Sequence, residues 1–193
     1  MIKKSQFKIC IEMIKTLITI AALLVFNSNL MANDGNRAKI NWMTMEEAER
    51  KVMEEPRKIF VDVYTDWCGW CKRMEANTFS HPYIIEYINE NFYAVKLNAE
   101  QEEPITFRGV EYVNENPGER RSSHNFARAL LQGRMSYPSV AFFDEELNLI
   151  TAIPGYREPR DFEPILVFFN EDVFIHQPNL DEFISNFDGN IRK

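Results

Sequence analysis

Cys68 and Cys71 stand three positions apart in Thr65-Asp-Trp-Cys-Gly-Trp-Cys-Lys-Arg-Met74, each directly preceded by a tryptophan, Trp67 or Trp70. Three kinds of chemistry use such a pair: a structural clamp, a metal site and a reagent. A structural zinc site wants four ligands in paired clusters, and this chain adds only His81, His124 and His176, scattered singly. No metal is therefore expected. A clamp stabilises more as its loop lengthens, and this loop is nearly the shortest possible. Reactive chemistry is the reading the setting favours. If a strand ends before Cys68 and a helix begins at Gly69, Cys68 lies at a helix N-terminus, where free N–H groups and the dipole stabilise a thiolate. Cys71 then falls one turn inside, placed to attack a mixed disulfide on Cys68. Lys72 and Arg73 add positive charge while Asp66 and Glu75 oppose it, so the spacing fixes no thiol pKa. Gly69 permits close approach of a substrate backbone. The two indoles suit an apolar docking surface for peptides, although packing alone would also explain them.

Positioning the pair requires the elements on either side. Lys58-Ile-Phe-Val-Asp-Val-Tyr64 is a short β-rich apolar run suited to a buried strand. Within it Asp62, beside Phe60, is expected to be buried with a raised pKa; the alternative is a solvent-facing carboxylate on a half-exposed strand. A helix is expected from Gly69 to Asn77 and a second from Pro82 to Asn91, followed by a strand over 92–98 that carries Lys96, which by itself reads as an ordinary surface lysine. Thr44-Met-Glu-Glu47 is a capping-box pattern opening an earlier helix that Pro56 stops. Residues 99–123 are polar and turn-rich, with a small hairpin in which Arg108-Gly109 joins 105–107 to 110–112. A helix over 124–132 ends at Gly133. Strands over 139–143 and 147–152 form an antiparallel pair. Asp161 is placed to cap a last core helix with Pro164 in its first turn, and a tail helix from Asn179 carries an apolar stripe expected to dock on the body.

The 193 residues, 45% apolar, supply one core of ordinary size. Four lysines precede the apolar run 16–26 and small or polar residues follow it, a pattern that reads as a secretory signal over 1–32. The run is shorter than the roughly 18 residues that argue for a membrane span. Membrane association is thus expected only if the signal stays uncleaved. Translation from Met13 would give a more compact signal. Cys10 would leave with it, so the exported chain would keep only Cys68 and Cys71. Removing 1–32 takes away four lysines and one glutamate, which moves the net charge from −7 to about −10. That charge argues against nucleic acid and anionic lipid as partners. The expected organisation is signal 1–32, linker 33–43, folded domain 44–170 with an insertion at 99–123, and a helical extension over 171–193.

Trp67-Cys-Gly-Trp-Cys-Lys72 after a hydrophobic strand resembles the thioredoxin active site, and downstream features fall in matching order. Asp62, six residues before Cys68, matches the family's buried carboxylate, and Lys96 matches the lysine of the next strand. Tyr137-Pro138 before the strand at 139–143 matches the family's cis-proline, although base rates alone would make that bond trans. Gly155 matches a late glycine. In detail the run Cys71-Lys-Arg-Met-Glu75, Thr78-Phe-Ser80 and Tyr87-Ile-Asn-Glu-Asn-Phe92 most resembles the exported bacterial thioredoxin-like proteins of the thioredoxin-7 kind.

The resemblance implies a thioredoxin-like α/β fold: a mixed central sheet flanked by helices, with the insertion ahead of the cis-proline strand. It implies a thiol–disulfide oxidoreductase outside the cytoplasm, in the periplasm or an equivalent space, with no cofactor beyond a redox-active Cys68–Cys71 disulfide. Cys68 would attack, Cys71 resolve, Asp62 take the Cys71 proton and Lys96 tune it. Trp67, Gly69, Trp70, Tyr137 and Pro138 would bind substrate. Partners would be exported client proteins with thiols or disulfides and a membrane dithiol electron donor. Trp70 replaces the family's usual proline between the cysteines, and Tyr137 replaces a smaller residue before cis-proline; both positions tune redox poise. Reduction of clients is the expected direction, with oxidation or isomerisation as the alternatives. A redox-inert protein-binding module is the alternative of a different class.

Overall fold

The structure, a computed structural model, describes residues 38–191. The expected signal, the alternative start at Met13 and Cys10 lie outside the described residues. In chain order the elements are β1 (Trp42–Met43), α1 (Met45–Glu54), β2 (Ile59–Tyr64), α2 (Gly69–Asn77), α3 (Pro82–Asn91) and β3 (Tyr93–Asn98). They continue with β4 (Ile105–Phe107), β5 (Val110–Tyr112), α4 (Asn125–Leu130), β6 (Ser139–Phe143), β7 (Leu149–Pro154), α5 (Pro159–Asn170), α6 (Val173–His176) and α7 (Leu180–Asn186).

Five strands form one mixed sheet in the order β1-β3-β2-β6-β7, with β1, β3 and β2 mutually parallel and β6 and β7 antiparallel to their neighbours. This is the mixed α/β architecture expected. The two-residue alternation of a strand assigns each face its own core. Ile59, Val61 and Val63 of β2 join Tyr93, Val95 and Leu97 of β3 under α1, α4 and the insertion. Phe60 points the other way, into a cluster with Phe79, Phe92, Phe142 and Phe162 that lies under α2, α3 and α5. Each such ring contributes about 1.5–3 kcal/mol by leaving water. Asp62 shares the Phe60 face by the same alternation. The parallel register sets it opposite Lys96 on β3 and the antiparallel register opposite Val140 on β6.

The capping box at Thr44 and Glu47 is present. Arg108 and Gly109 both take positive φ, the two-residue hairpin turn that joins β4 to β5. Three expectations need correction. Residues 40–43 were expected to be linker, but Ile40 is buried and Trp42–Met43 pairs with β3 as the sheet's edge, with the Trp42 ring against Phe60 and Phe79. A two-residue strand is too short to show a period. Asp161 does not cap α5: Glu158 stands at the cap and Pro159 opens the helix, because proline's fixed φ suits the first helical position. Pro164 therefore lies inside α5 rather than in its first turn, at the cost of the bond it would have given to the Arg160 carbonyl. The short helix α6 falls within the helical extension expected over 171–193.

The tail docks on the body as expected, with Phe183 of α7 against Phe168 of α5 at 5.2 Å between ring centroids. Glu163 secures the end of the chain. Its carboxylate, 1% exposed, accepts from the backbone N–H of Asn190 (2.6 Å) and Ile191 (2.9 Å) and from the Asn190 side chain (3.1 Å). Gly189 allows this approach, since a Cβ there would sit 2.5 Å from Glu163 Oε2.

Candidate functional site

The chain leaves β2 at Tyr64, turns through Thr65–Trp67 and enters α2, so Cys68 is the helix N-cap. Its Sγ accepts a hydrogen bond from the Cys71 backbone N–H at 3.0 Å, one of the donors that a helix start leaves free. Cys68 and Cys71 are joined as a disulfide with their Cα atoms 5.3 Å apart. In this oxidised form Cys68 is 5% and Cys71 7% exposed, so both cysteines are mostly covered. Trp67 and Trp70, at 54% and 56%, supply the exposed surface beside it. A Cβ at Gly69 would meet nothing within 4 Å, so the space before the helix start is open.

Behind the disulfide, Asp62 is 3% exposed. Its Oδ2 lies 3.2 Å from Lys96 Nζ, while Oδ1 has no hydrogen-bond partner among the described residues. Burial pushes the Asp62 carboxyl up to about 6, with Lys96 pulling against it and losing. Burial also disfavours the Lys96 ammonium, but Asp62 and Glu75 outweigh it and hold the lysine above its ordinary value. Glu75, which also ion-pairs with Lys96, was read from sequence only as an opposing charge. Its place four residues after Cys71, on the same helix face, was the signal for more. Asp62, Cys71, Glu75 and Lys96 line one cavity of about 330 Å³ together with Thr65 and Lys72. A buried carboxylate with one unsatisfied oxygen, facing a cavity shared with Cys71, is placed to take a proton from that thiol.

The Tyr137–Pro138 bond is cis. Pro138 is buried, its carbonyl accepts from the Gly155 N–H at 2.8 Å, and Tyr137 precedes the β6 ladder that begins at Ser139. The Tyr137 ring meets Trp67 edge-on at 6.0 Å. Trp67 Nε1 donates to the Glu100 carboxylate at 2.9 Å, and the Arg121 guanidinium stacks over the same indole at 5.4 Å. Both partners belong to the insertion, which therefore flanks the disulfide. Trp70 lies against Tyr156 at 5.3 Å, with Arg73 over both rings. The structure thus gathers all the sequence-derived site residues at one end of the sheet. Glu100, Arg121 and Tyr156 were missed, because each reaches the site through a long-range contact with no local pattern.

The fold and the site define a thioredoxin-fold protein with a Cys-Gly-Trp-Cys disulfide at a helix start. The chain belongs to the thioredoxin-like domain family, whose model matches residues 45–170. It is 28% identical over 120 residues to the thiol:disulfide interchange protein DsbD of Haemophilus influenzae (strain PittEE), an alignment covering 61% of this chain and 17% of that protein's length. Among solved structures it is similar to a DsbH oxidoreductase (TM-score 0.52, 15% identity, 74% of this chain and 92% of that one). It is also similar to a thioredoxin-fold protein from Helicobacter pylori (TM-score 0.51, 16% identity, 67% and 83%).

Proposed function

We propose that the protein is a thiol–disulfide oxidoreductase that reduces disulfides of exported client proteins. The observation that carries this is the Cys68–Cys71 disulfide at the start of α2, set over the buried carboxylate of Asp62. In the reduced protein, Cys68 thiolate attacks a client disulfide. A bond forms from Cys68 Sγ to one client sulfur, and the other leaves as a thiolate that takes a proton from water. Cys71 gives its proton to Asp62 across their shared cavity and attacks Cys68 Sγ. The client's second sulfur leaves, and Cys68–Cys71 is restored as the disulfide. Two electrons pass from the dithiol to the client, and no other cofactor takes part.

A reductase in an oxidising compartment needs a supply of electrons, and a membrane dithiol donor is the partner proposed for it. An extracytoplasmic location is supported by the signal pattern over 1–32. No helix among the described residues is long and apolar enough to cross a membrane. Reduction is preferred to oxidation or isomerisation, and a redox titration decides it: about −270 mV supports a reductase and about −120 mV an oxidant.

Cys71→Ser removes the resolving thiol and leaves the attacking one. Applied to cell extracts, it is expected to accumulate clients bound through Cys68 and released by dithiothreitol. A Cys71→Ser variant that traps no client, with a wild type that does not reduce insulin, contradicts the reading. Retained peptide binding in that case would favour the binding module built on Trp67 and Trp70.

A further inference from the structure

The acidic groups around the disulfide each have a partner within the chain. Glu100 takes the Trp67 N–H, Asp66 accepts from Asn98 at 3.2 Å, and Glu75 pairs with Lys96. The arginines do not. Among the described residues, neither Arg73 nor Arg121 has a carboxylate within ion-pair distance. This occurs in a chain with 29 acidic against 22 basic residues. Away from the site a similar stack is neutralised: Arg57 lies over the Tyr93 ring and pairs with Glu55 at 2.8 Å. These two guanidinium groups, like most arginines of the described residues without an ion pair, are set apart by their place: they lie on the two tryptophans that immediately precede the two cysteines.

Their placement is built. Arg73 is on α2 itself, held over Trp70 and Tyr156. Arg121 takes a left-handed conformation at φ 63, unusual for a residue with a side chain and a mark of a position fixed by its surroundings. The surroundings are a buried hub: Asn114 Nδ2 donates to the carbonyls of Gln101 (3.2 Å) and Ser122 (3.1 Å), next to Arg121. The base of the insertion is closed by His124 N–H to the Ala99 carbonyl at 2.8 Å. The β4–β5 hairpin is tied to α1 through Glu46 and Glu49, which accept from the Thr106 and Arg108 N–H groups. A guanidinium stacked on an indole keeps its N–H edge outward, in the fork that matches a carboxylate.

We propose that Arg121 and Arg73 form two carboxylate subsites, one on each side of the redox pair, and that the preferred clients carry acidic residues on both sides of the reacting cysteine. The inference rests on the oxidoreductase reading and names its substrate class. It also gives the insertion a role, that of holding one of the two subsites.

The test uses the reduced full chain and two peptides, each with one cysteine as a mixed disulfide with 2-thiopyridine. One peptide has glutamate on both sides of the cysteine and the other glutamine. The acidic peptide is expected to react about tenfold faster in second-order rate at low salt, with Arg121→Gln and Arg73→Gln each lowering that ratio about threefold. Salt near 1 M should bring the ratio close to one, an arm that uses the unmodified chain and so stands however the variants behave. Equal rates for the two peptides, or a ratio unchanged by salt and by the double variant, overturn the subsites while leaving the oxidoreductase reading intact. Reaction with neither peptide overturns that reading instead. Binding of the corresponding cysteine-to-serine peptides, followed by tryptophan fluorescence, then decides the subsites alone: preference for the acidic peptide supports them and equal affinity overturns them.

Discussion

Two carboxylates are buried on the same side of the sheet, and they are treated oppositely. Glu163 on α5 is 1% exposed, and three N–H donors from the chain's end saturate it. Asp62 on β2 is 3% exposed, has Lys96 on one oxygen and no hydrogen-bond partner among the described residues on the other, and faces a cavity shared with Cys71. Burial costs both ions their hydration. Directed donors compensate it at Glu163, whereas at Asp62 the compensation is partial and the carboxyl is pushed up to about 6. A saturated carboxylate holds structure; an under-satisfied one beside a thiol is available for proton transfer.

The contrast is sharpest in stability. Asp62 is raised in the folded state, so between about pH 4 and pH 6 the unfolded chain releases its proton first and stability falls as pH rises. Above pH 6 the penalty is complete, on the order of 3 kcal/mol for a rise of about two units. Asp62→Asn is therefore expected to raise the urea midpoint of the oxidised protein at pH 7 and to remove most of the loss between pH 4 and 7. A variant less stable than wild type at pH 7 would place Asp62 with Glu163, as a structural anchor. Glu163→Gln comes next in size and has the opposite sign. It sets an amide donor against backbone donors, and a loss of about 1–3 kcal/mol is expected, with the dithiol potential unchanged. A shifted potential would break the separation between the two sites.

The difference between the carboxylates was half legible in the sequence. Asp62 stood inside an apolar run of strand length beside Phe60, from which its burial followed, while its place behind Cys68 came from the family resemblance. Lys96 opposite it depended on strand register, which the family resemblance supplied and the residues alone did not. Glu163 gave no signal at all. It sits at a helical position flanked by Phe162 and Pro164, and its partners are backbone groups 27 and 28 residues later. Backbone donors leave no trace in residue type. The edge strand β1 was hidden for a related reason, since its two residues are held by pairing to β3 and by the Trp42 ring contacts rather than by any pattern of their own.

The central claim is that Cys68 and Cys71 exchange disulfides with Asp62 as the proton acceptor for Cys71. Single-turnover reduction of a peptide disulfide by the reduced protein, with release of the second client thiol measured from pH 5 to pH 8, tests it most directly. Wild type should show a rise in that step with an inflection near pH 6, and Asp62→Asn should lose the inflection and slow by about 100-fold. Superimposable profiles for the two proteins would contradict the account.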